Sequence, residues 1–205
     1  MATENKVKFG LKNVYYAKML TNAADASPTY ATPVAWPGAV NLSMDAEGEL
    51  SPFRADNMDY YVPSANNGYS GTFESALIPE SFKQDILGEI VAGNGIQVED
   101  ADAEPASFAL LFQFEGDAHA TRHVLYNCKC TRPSVGSETT GETIEPVTET
   151  MDLTATKIFV AALNKYITKG KTNADTDAAV YDAWFEAVTL PTAASTPSTP
   201  STPST

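Results

Sequence analysis

Two cysteines and two histidines are the residues of this sequence best suited to metal or redox chemistry. Cys128 and Cys130 stand two positions apart in the run NCKC, and His119 and His123 precede them in the same stretch of chain. Residues i and i+2 of a strand face the same way, so the two thiols are predicted to share one face. A zinc site would need all of its ligands from this single short segment. The pattern therefore favours two buried, reduced thiols, and we predict no metal and no cofactor.

The motifs of the common enzyme classes are absent from the sequence. It contains no G-x-S-x-G nucleophile elbow, no G-x-x-x-x-G-K-[ST] phosphate loop and no H-E-x-x-H metal motif. The run at 93–95, GNG, is better explained as the end of a helix. Glu47 and Glu49 fall in a predicted loop, with no partner that would divide them into an acid and a base. We therefore predict that the chain is not an enzyme.

The charge balance excludes one large class of partner. The chain has 13 Lys and Arg residues against 26 Asp and Glu residues, and its formal net charge is -13. Proteins that grip nucleic acid do so with clustered Lys and Arg, so this surface is predicted to repel DNA. No apolar run is long enough to span a membrane and no secretory leader is present, which predicts a cytoplasmic site of synthesis.

The charges are unevenly distributed along the chain. The first 20 residues carry Lys6, Lys8, Lys12 and Lys18 against Glu4, whereas two acidic clusters lie at 99–104 and 138–152. Such runs are usually solvated faces. The alternative hypothesis is that the basic N-terminal strand meets an acidic cluster of a neighbouring subunit and so helps to fix the register of an assembly.

Most of the chain shows the period-two alternation of β-strands. The first run, KVKFGLKNVYYAKML, predicts a half-buried strand with Val7, Phe9, Leu11, Tyr15 and Ala17 on one face. The runs VNLSMDAEGEL and GTFESALIP predict two more strands, and residues 45–68 predict a long irregular excursion between them.

The second half of the chain continues this pattern. The runs SFALLFQFEG and TRHVLYNCKCTRP predict a hairpin, and ETIEPVTETMDLTAT predicts a strand in which Pro146 suggests an edge or a bulge. The run KIFVAALNKYI is ambiguous between strand and helix.

Two segments have helical rather than strand periodicity. The first runs from Pro79 to a stop at 93–95, and the second is DTDAAVYDAWFEAV near the end of the chain. Their apolar stripes are Phe82, Ile86, Leu87, Ile90 and Val91 in the first, and Val180, Tyr181, Trp184, Phe185 and Val188 in the second.

Together these elements predict one mainly β domain over residues 1–190. Its fold class is an antiparallel β-sandwich or barrel with a flanking α-helix and a short C-terminal helix. Residues 191–205 form a Ser-Thr-Pro repeat without core-forming residues, and we predict that this tail is disordered.

Long stretches of the sequence carry a whole-domain likeness. They are KFGLKNVYYA, then TPVAWPGAVNLSMDAEGELSPFRADNMDYYVPSANNGYSGTFESALIPESFKQDILGEI, then ALLFQFEGDAHATRHVLYNCKCTRPSVGSETTGETIEPVTETMDLTAT. In collinear order over most of residues 6–156, they strongly resemble the phi13-type major tail proteins of long, non-contractile-tailed phages. The run DTDAAVYDAWFEAV also resembles the close of that family's domain.

The resemblance implies a structural virion protein of the phage tail, assembled in the cytoplasm of the bacterial host. Such a subunit is expected to close into hexameric rings that stack as a hollow tail tube, through which phage DNA passes without specific binding. Its further expected partners are the tape-measure, tail-tip and tail-terminator proteins. An alternative from the binding class is a β-sandwich adhesion or decoration module on a virion surface, in which the tyrosine-rich excursion would contact a carbohydrate or the host.

The candidate assembly contacts lie in two parts of the chain, the basic N-terminal strand and the excursion with its return. Tyrosines offer large contact area with few torsions to fix, and Asn66-Asn67-Gly68 favours a turn that leads the chain back into the next strand. The predicted contact residues are Lys6, Lys8, Lys12, Asp56, Tyr60, Tyr61, Asn66, Asn67 and Tyr69.

Overall fold

The computed structural model describes residues 9–48, 52–62, 65–115, 120–137 and 147–193, and the fold that they form is mainly β. Two short helices are present, α1 (Glu80–Phe82), which continues as a π-helical turn over Lys83–Leu87, and α2 (Ala178–Asp182), which continues as a 3-10 turn over Ala183–Phe185. The strands of the described ranges are β1 (Leu11–Thr21), β2 (Thr29–Tyr30), β3 (Val34–Ala35), β4 (Ala39–Glu47), β5 (Phe53–Ala55), β6 (Met58–Tyr61), β7 (Gly68–Ser75), β8 (Ile90–Val91), β9 (Gln97–Val98), β10 (Phe108–Phe114), β11 (Arg122–Cys130), β12 (Glu149–Thr156), β13 (Ile158–Val160), β14 (Lys165–Ile167) and β15 (Lys169–Lys171).

One antiparallel sheet organises the molecule. Seven of its strands lie in the order β2-β1-β10-β11-β12-β7-β4, while β15 pairs with β11 and β3 pairs with β1. The other described strands form three two-stranded hairpins, β5–β6, β8–β9 and β13–β14. The predicted hairpin of β10 and β11 is present, with Phe112 opposite His123. This architecture confirms the predicted fold class.

A first core lies on one side of the sheet, where β4 approaches β1. Trp36 lies at its centre, and its ring centroid is 5.9 Å from that of Tyr16, 4.9 Å from Phe73 and 4.4 Å from Phe82. The Trp36 indole N–H donates a hydrogen bond of 3.0 Å to the Ser75 hydroxyl. Because Phe82 belongs to α1, this aromatic group attaches the flanking helix to the sheet.

A second core lies on the opposite side of the same sheet. Leu111 of β10 and Val124 of β11 face it, and it is covered by the β13–β14 hairpin and by Trp184 after α2. The Asp177 carboxylate accepts a 2.8 Å hydrogen bond from the Ala179 backbone N–H and so caps α2. The predicted C-terminal helix and its apolar stripe are confirmed.

Arg122 fastens the C-terminal helix to β11. Its guanidinium carbon lies 3.9 Å from the ring centroid of Tyr181 and 4.9 Å from that of Phe185. It also donates to the backbone carbonyl oxygen of Tyr181. A cation held between two aromatic rings and a carbonyl is a specific attachment, because it needs both the planar charge and the ring positions.

The flanking helix is shorter than predicted. The helical backbone ends at Leu87, because Gly88 adopts a left-handed conformation with φ +79°, and the chain then turns away. The β-branched Ile90 and Val91 form β8 instead and pair with β9. The predicted extension to 93 was therefore wrong, and only Phe82, Ile86 and Leu87 of the predicted stripe are buried.

The prediction that the first strand is buried on one face only was also wrong. Asn13 has φ 51°, and the register of β1 against β10 shifts between Lys12 and Tyr15. This bulge reverses the alternation, so that Leu11 packs against the first core and Tyr15 against the second. The strand is therefore covered on both faces.

Two further segments are now assigned. Residues 158–167, which were ambiguous, form the β13–β14 hairpin. The strand after Pro146 is not an edge strand, because β12 lies between β11 and β7. Pro146 itself, and residues 194–205 of the predicted disordered tail, lie outside the described residues. The boundary at 190 stays a prediction.

Candidate assembly surfaces

The excursion at 45–68, predicted to be irregular, contains regular strands. Strand β4 runs to Glu47, and the hairpin β5–β6 follows it. Asp56 and Asn57 connect the two hairpin strands with φ 53° and φ 63°. Two successive left-handed residues form a type I′ turn, which matches the natural twist of a hairpin. Asp56 is thus a turn residue.

The hairpin β5–β6 presents its tyrosines to solvent. Tyr60 and Tyr61 are neighbours on β6, at the point where its register against β5 shifts, and they are 69% and 63% exposed. Met58 and Val62 are exposed as well. A two-stranded hairpin without a covered face is marginal by itself, and two exposed tyrosines are suitable anchors for another chain.

The return from the excursion lies where the sequence predicted it. The Asn66 side-chain oxygen accepts a 3.1 Å hydrogen bond from the Gly68 backbone N–H, and the Asn67 N–H donates to the Glu47 carbonyl oxygen at 2.9 Å. The left-handed conformation falls on Gly68, with φ +102°, where an added Cβ would collide with the carbonyl oxygen of Ala155. Asn66 and Asn67 therefore position β7.

Tyr69 and Lys12 have partners within the chain. Tyr69 packs against the first core, and the Lys169 ammonium lies 4.5 Å from its ring centroid. The Lys12 ammonium lies 3.6 Å from a Glu115 carboxylate oxygen, in an exposed ion pair that contributes little to stability. Lys6 and Lys8 lie outside the described residues.

Strands β4, β7, β12 and β11 carry a polar face on the side of the sheet away from the first core. Their inward residues, among them Phe73, Met151 and Leu153, belong to the first core. Alternation sends every other residue outward, and the ladder aligns these outward residues in rows such as Ser43, Thr72 and Asp152. The outward residues are Asn41, Ser43, Asp45, Glu47, Ser70, Thr72, Glu74, Asn127, Lys129, Thr150, Asp152, Thr154 and Thr156.

This polar face is acidic. It has four carboxylates, those of Asp45, Glu47, Glu74 and Asp152, against the single ammonium of Lys129. Its other members are Ser, Thr and Asn. The exposed Val40, at the register shift of β4, is an apolar side chain beside this face, and the polar positions suit contact with water.

One edge of the sheet next to the polar face is open. In the described part of the chain β4 pairs with β7 and with no second strand. The strand is nine residues long and contains neither proline nor lysine, the residues that commonly keep an edge from pairing with another chain. The strand does have a register shift between Ala39 and Asn41 and two charged side chains, Asp45 and Glu47, and among the described residues no second strand pairs with its outer edge beyond that shift.

The two cysteines are buried thiols, as the spacing predicted. Both are free, and they face the first core. Desolvation raises the pKa of Cys130 to about 12, and it also raises the pKa of Cys128. Within the described residues no group of three His, Cys, Asp or Glu side chains is arranged to hold a metal ion. His123 stacks on Phe112 at a centroid distance of 5.2 Å.

Native Cys128 and Cys130 should react with a thiol reagent at pH 8 more than about a hundredfold more slowly than in the denatured chain, because only the exposed thiolate reacts. Folding raises both pKa values above the ordinary thiol value of about 8.5. The two thiols therefore leave the free energy of unfolding independent of pH below about 8.5. As the pH rises from there toward 12, the free energy of unfolding falls, because the unfolded chain loses these protons first. Reagent kinetics and urea unfolding at several pH values measure both effects. Equal reaction rates in the two states would contradict this burial.

The sequence analysis missed two surfaces. The first is the hairpin β8–β9, which exposes Ile90 and Ile96 and whose first strand fell inside the predicted helix. The second is the segment 157–171, which holds four lysines and no acidic residue in a chain of net charge -13. A running sum of charge along the sequence could have found the basic segment. The β8–β9 hairpin could be recognised only once the helix was known to end at the left-handed Gly88.

Comparison with known proteins adds little to this geometry. No protein-family model matches the sequence. No curated protein matches it either. Among solved structures, a chain of the anti-feeding prophage (AFP) baseplate, determined by cryo-EM and 6-fold symmetrised, matches with a TM-score of 0.41 and 11% sequence identity. The match covers 86% of this chain and 100% of that chain. A similarity at this level carries no inference about the role of this protein.

No helix among the described residues has both the length and the apolar character to cross a membrane.

Proposed function

We propose that this chain is a virion structural protein, the subunit of a phage tail tube. In this proposal it self-assembles into stacked hexameric rings around a channel through which genomic DNA is delivered. The observation that carries the proposal is the acidic polar face of β4, β7, β12 and β11 beside the open edge of β4. The collinear sequence resemblance to phage major tail proteins supports it independently.

The open edge supplies a way to close a ring. A strand of a neighbouring subunit that pairs with β4 would satisfy its free backbone groups and continue the sheet across the boundary. Repetition of the same head-to-tail contact around an axis closes into a ring if the rotation fits. The polar face, being part of the same sheet, would then repeat around the inside of the ring.

The charge of that face suits a channel for DNA. Each phosphate that meets a Lys or Arg releases counterions and strengthens binding, and a conduit must avoid such binding. Asp45, Glu47, Glu74 and Asp152 place carboxylates along the wall, with Lys129 as the single cation of the face. DNA would be repelled toward the axis and would remain free to slide.

The hairpin β5–β6 supplies a contact beyond the ring. Its two neighbouring tyrosines are exposed, so it has area for a subunit of an adjacent ring. In the proposed tail, the tape-measure protein occupies the channel, and the tail-tip and tail-terminator proteins cover the two ends. The assembled protein belongs to the virion, and its assembly takes place in the cytoplasm of the bacterial host.

Negative-stain electron microscopy of the purified protein at high concentration tests the proposal. Hollow tubes or stacked rings with six-fold symmetry are expected. A protein that remains monomeric at every concentration and salt condition would count against the proposal, and a closed ring of another order would correct its symmetry.

The double variant Tyr60→Ala/Tyr61→Ala should fold normally and fail to form tubes. Both side chains are exposed, so their truncation changes the free energy of unfolding by less than about 0.5 kcal/mol. Loss of two aromatic anchors at each contact should abolish stacking. Thermal melting and electron microscopy measure the two effects, with Leu77→Ala, at another exposed apolar residue, as the control. Normal tubes from the double variant would refute the role of this hairpin.

A further inference from the structure

The hairpin β13–β14 has one buried and one exposed face. Ile158 and Val160 point into the second core and are 1% exposed each. On the other face Phe159 lies opposite Tyr166, with ring centroids 5.3 Å apart. The Lys157 ammonium lies 5.1 Å from the Tyr166 ring centroid, and Tyr166 is 61% exposed. In the described residues this face is therefore an aromatic pair, half-buried at Phe159 and exposed at Tyr166, with a cation beside it.

The hairpin β8–β9 exposes an apolar face of a different kind. Ile90 lies opposite Val98, and the hydrogen bond from the Ala92 N–H to the Ile96 carbonyl oxygen, 2.8 Å, extends the pairing by one step. Ile90, Ala92, Ile96 and Val98 consequently share one face. Ile90 and Ile96 are 54% and 57% exposed.

The reverse side of the β8–β9 hairpin is held to the body of the protein. The Gln97 side-chain amide donates to the Glu89 carboxylate at 2.6 Å and accepts from the Gln84 amide at 3.3 Å. Gln84 belongs to the helical turn that carries Ile86 and Leu87 into the first core. The apolar face is thus presented outward on an anchored hairpin.

The two hairpins carry opposite charges. The segment that follows β9 exposes Glu99, Asp100, Asp102 and Glu104, and Arg132 fixes this segment through a 2.7 Å ion pair with Glu99 and a hydrogen bond to the Asp100 carbonyl oxygen. The segment 157–171, which contains β13–β14, has four exposed lysines and no carboxylate. The β8–β9 surface therefore has β-branched and acidic side chains, and the β13–β14 surface has aromatic and basic ones.

We propose that the β13–β14 hairpin of one copy of this chain docks on the β8–β9 hairpin and its acidic extension of another copy. Aromatic and β-branched side chains pack favourably on one another, and the charge of Lys157, which lies beside Tyr166 on the aromatic face, meets those of Asp100 and Asp102. This inference rests on the self-assembly in the proposed function and names one of its contacts.

The contact joins two different surfaces and is therefore head-to-tail. A pairing of either hairpin with itself would set like charges against each other, whereas the mixed pairing sets opposite charges together. The apolar area involved is on the order of a few hundred Å² on each side, less than the roughly 800 Å² per partner of a stable complex. A single contact is consequently weak. Its repetition around a closed assembly raises the total affinity between subunits.

A charge exchange between two variants tests the contact. The variant Lys157→Glu places a carboxylate where the aromatic face has its cation, and Asp100→Lys/Asp102→Lys places two ammonium groups in the acidic segment that would meet it. Each variant alone should associate more than about tenfold more weakly than the wild-type protein. An equimolar mixture should recover association, because each altered surface then meets its complement on the other variant. Sedimentation velocity measures association, and circular dichroism with thermal melting confirms that each variant is folded.

Two further measurements complete the test. The variant Ile90→Ser/Ile96→Ser should weaken association without changing the charge, and it should not be rescued by either charge variant. Wild-type association should weaken as NaCl rises from about 50 mM to about 500 mM, since exposed ion pairs are screened. Recovery of association in the mixture supports the contact. If the recovered complexes are not tubes, the proposed function fails and the contact stands.

The opposite outcomes are equally definite. Tubes that form undiminished from each single variant would overturn the contact and leave the proposed function in place. Two variants that are impaired alone and stay impaired in the mixture would show that the charges do not meet each other. A wild-type protein that does not associate under any condition would overturn both.

Discussion

Trp36→Ala should be among the most destabilising single substitutions in this protein, with a loss of about 3–5 kcal/mol in the free energy of unfolding. Trp36 is 3% exposed and contacts the rings of Tyr16, Phe73 and Phe82, which come from two strands and from α1. Its removal opens a large cavity where the sheet, the first core and the helix meet. Since domains have only about 5–15 kcal/mol of stability, the variant should be largely unfolded at growth temperature or close to it.

Trp36→Phe is the matched control for this substitution. It retains an aromatic ring at the centre of the cluster but loses the indole N–H that donates to Ser75. The Ser75 hydroxyl also donates to the Leu77 carbonyl oxygen at 2.8 Å, so it keeps a partner. We therefore expect a smaller loss, about 1–3 kcal/mol, from one hydrogen bond and a reduced volume. Urea unfolding measures both variants, and equal losses from Ala and Phe would show that ring packing is not the main contribution.

If the chain forms the proposed tube, Asp45→Lys/Asp152→Lys should convert a tube that does not bind DNA into one that does. The two residues lie on the acidic face of the sheet, and their reversal changes the charge of that face by four units per subunit. A wall whose lysines neutralise several phosphates binds DNA. Its affinity for DNA then falls by about 10³–10⁵ between 50 mM and 200 mM salt. Fluorescence anisotropy of short duplex DNA with assembled tubes, across a salt series, measures the affinity and its slope.

The matched control carries the same charge change elsewhere. Asp175→Lys/Asp182→Lys alters two exposed carboxylates near α2, away from the acidic face. If the acidic face lines the channel, DNA should enter and be retained only in the first variant, and retention should protect it from nuclease. Equal binding by both variants, without protection, would place the acidic face on the outside of the assembly.

The β architecture could be predicted from the sequence because its strands are patterned by burial. The run at β10 is apolar on both faces, and it proved to be a central strand shared by both cores, with Leu110 in one and Leu111 in the other. The bulge at Asn13 could not be predicted, because nothing in the run FGLKNVYY marks the residue at which alternation reverses. Likewise, an apolar i, i+4 stripe at Ile86 and Ile90 is compatible with one long helix or with a helix that stops at Gly88.

The candidate surfaces were predictable only in part, for a similar reason. The exposed tyrosines of β6 and the turn at Asn66 follow from local composition, so the sequence pointed to them directly. The acidic face could not be predicted from local composition. Asp45, Glu74 and Asp152 are far apart in the chain and share a face only through the register of three strands. Pairing register depends on the whole sheet, and a single sequence does not specify it by pattern alone.

The separation of the three hairpins from the sheet has a consequence for how this protein can evolve. Their exposed side chains, such as Tyr60, Ile96 and Tyr166, lie outside the two cores. Substitutions there are nearly neutral for folding, so the contact surfaces can drift and co-adapt with little effect on the fold. The sheet, by contrast, tolerates few changes at positions such as Gly68 or Trp36. Lineages that share this scaffold should therefore diverge first in their hairpins, and subunits from distant lineages should fold alike yet fail to co-assemble.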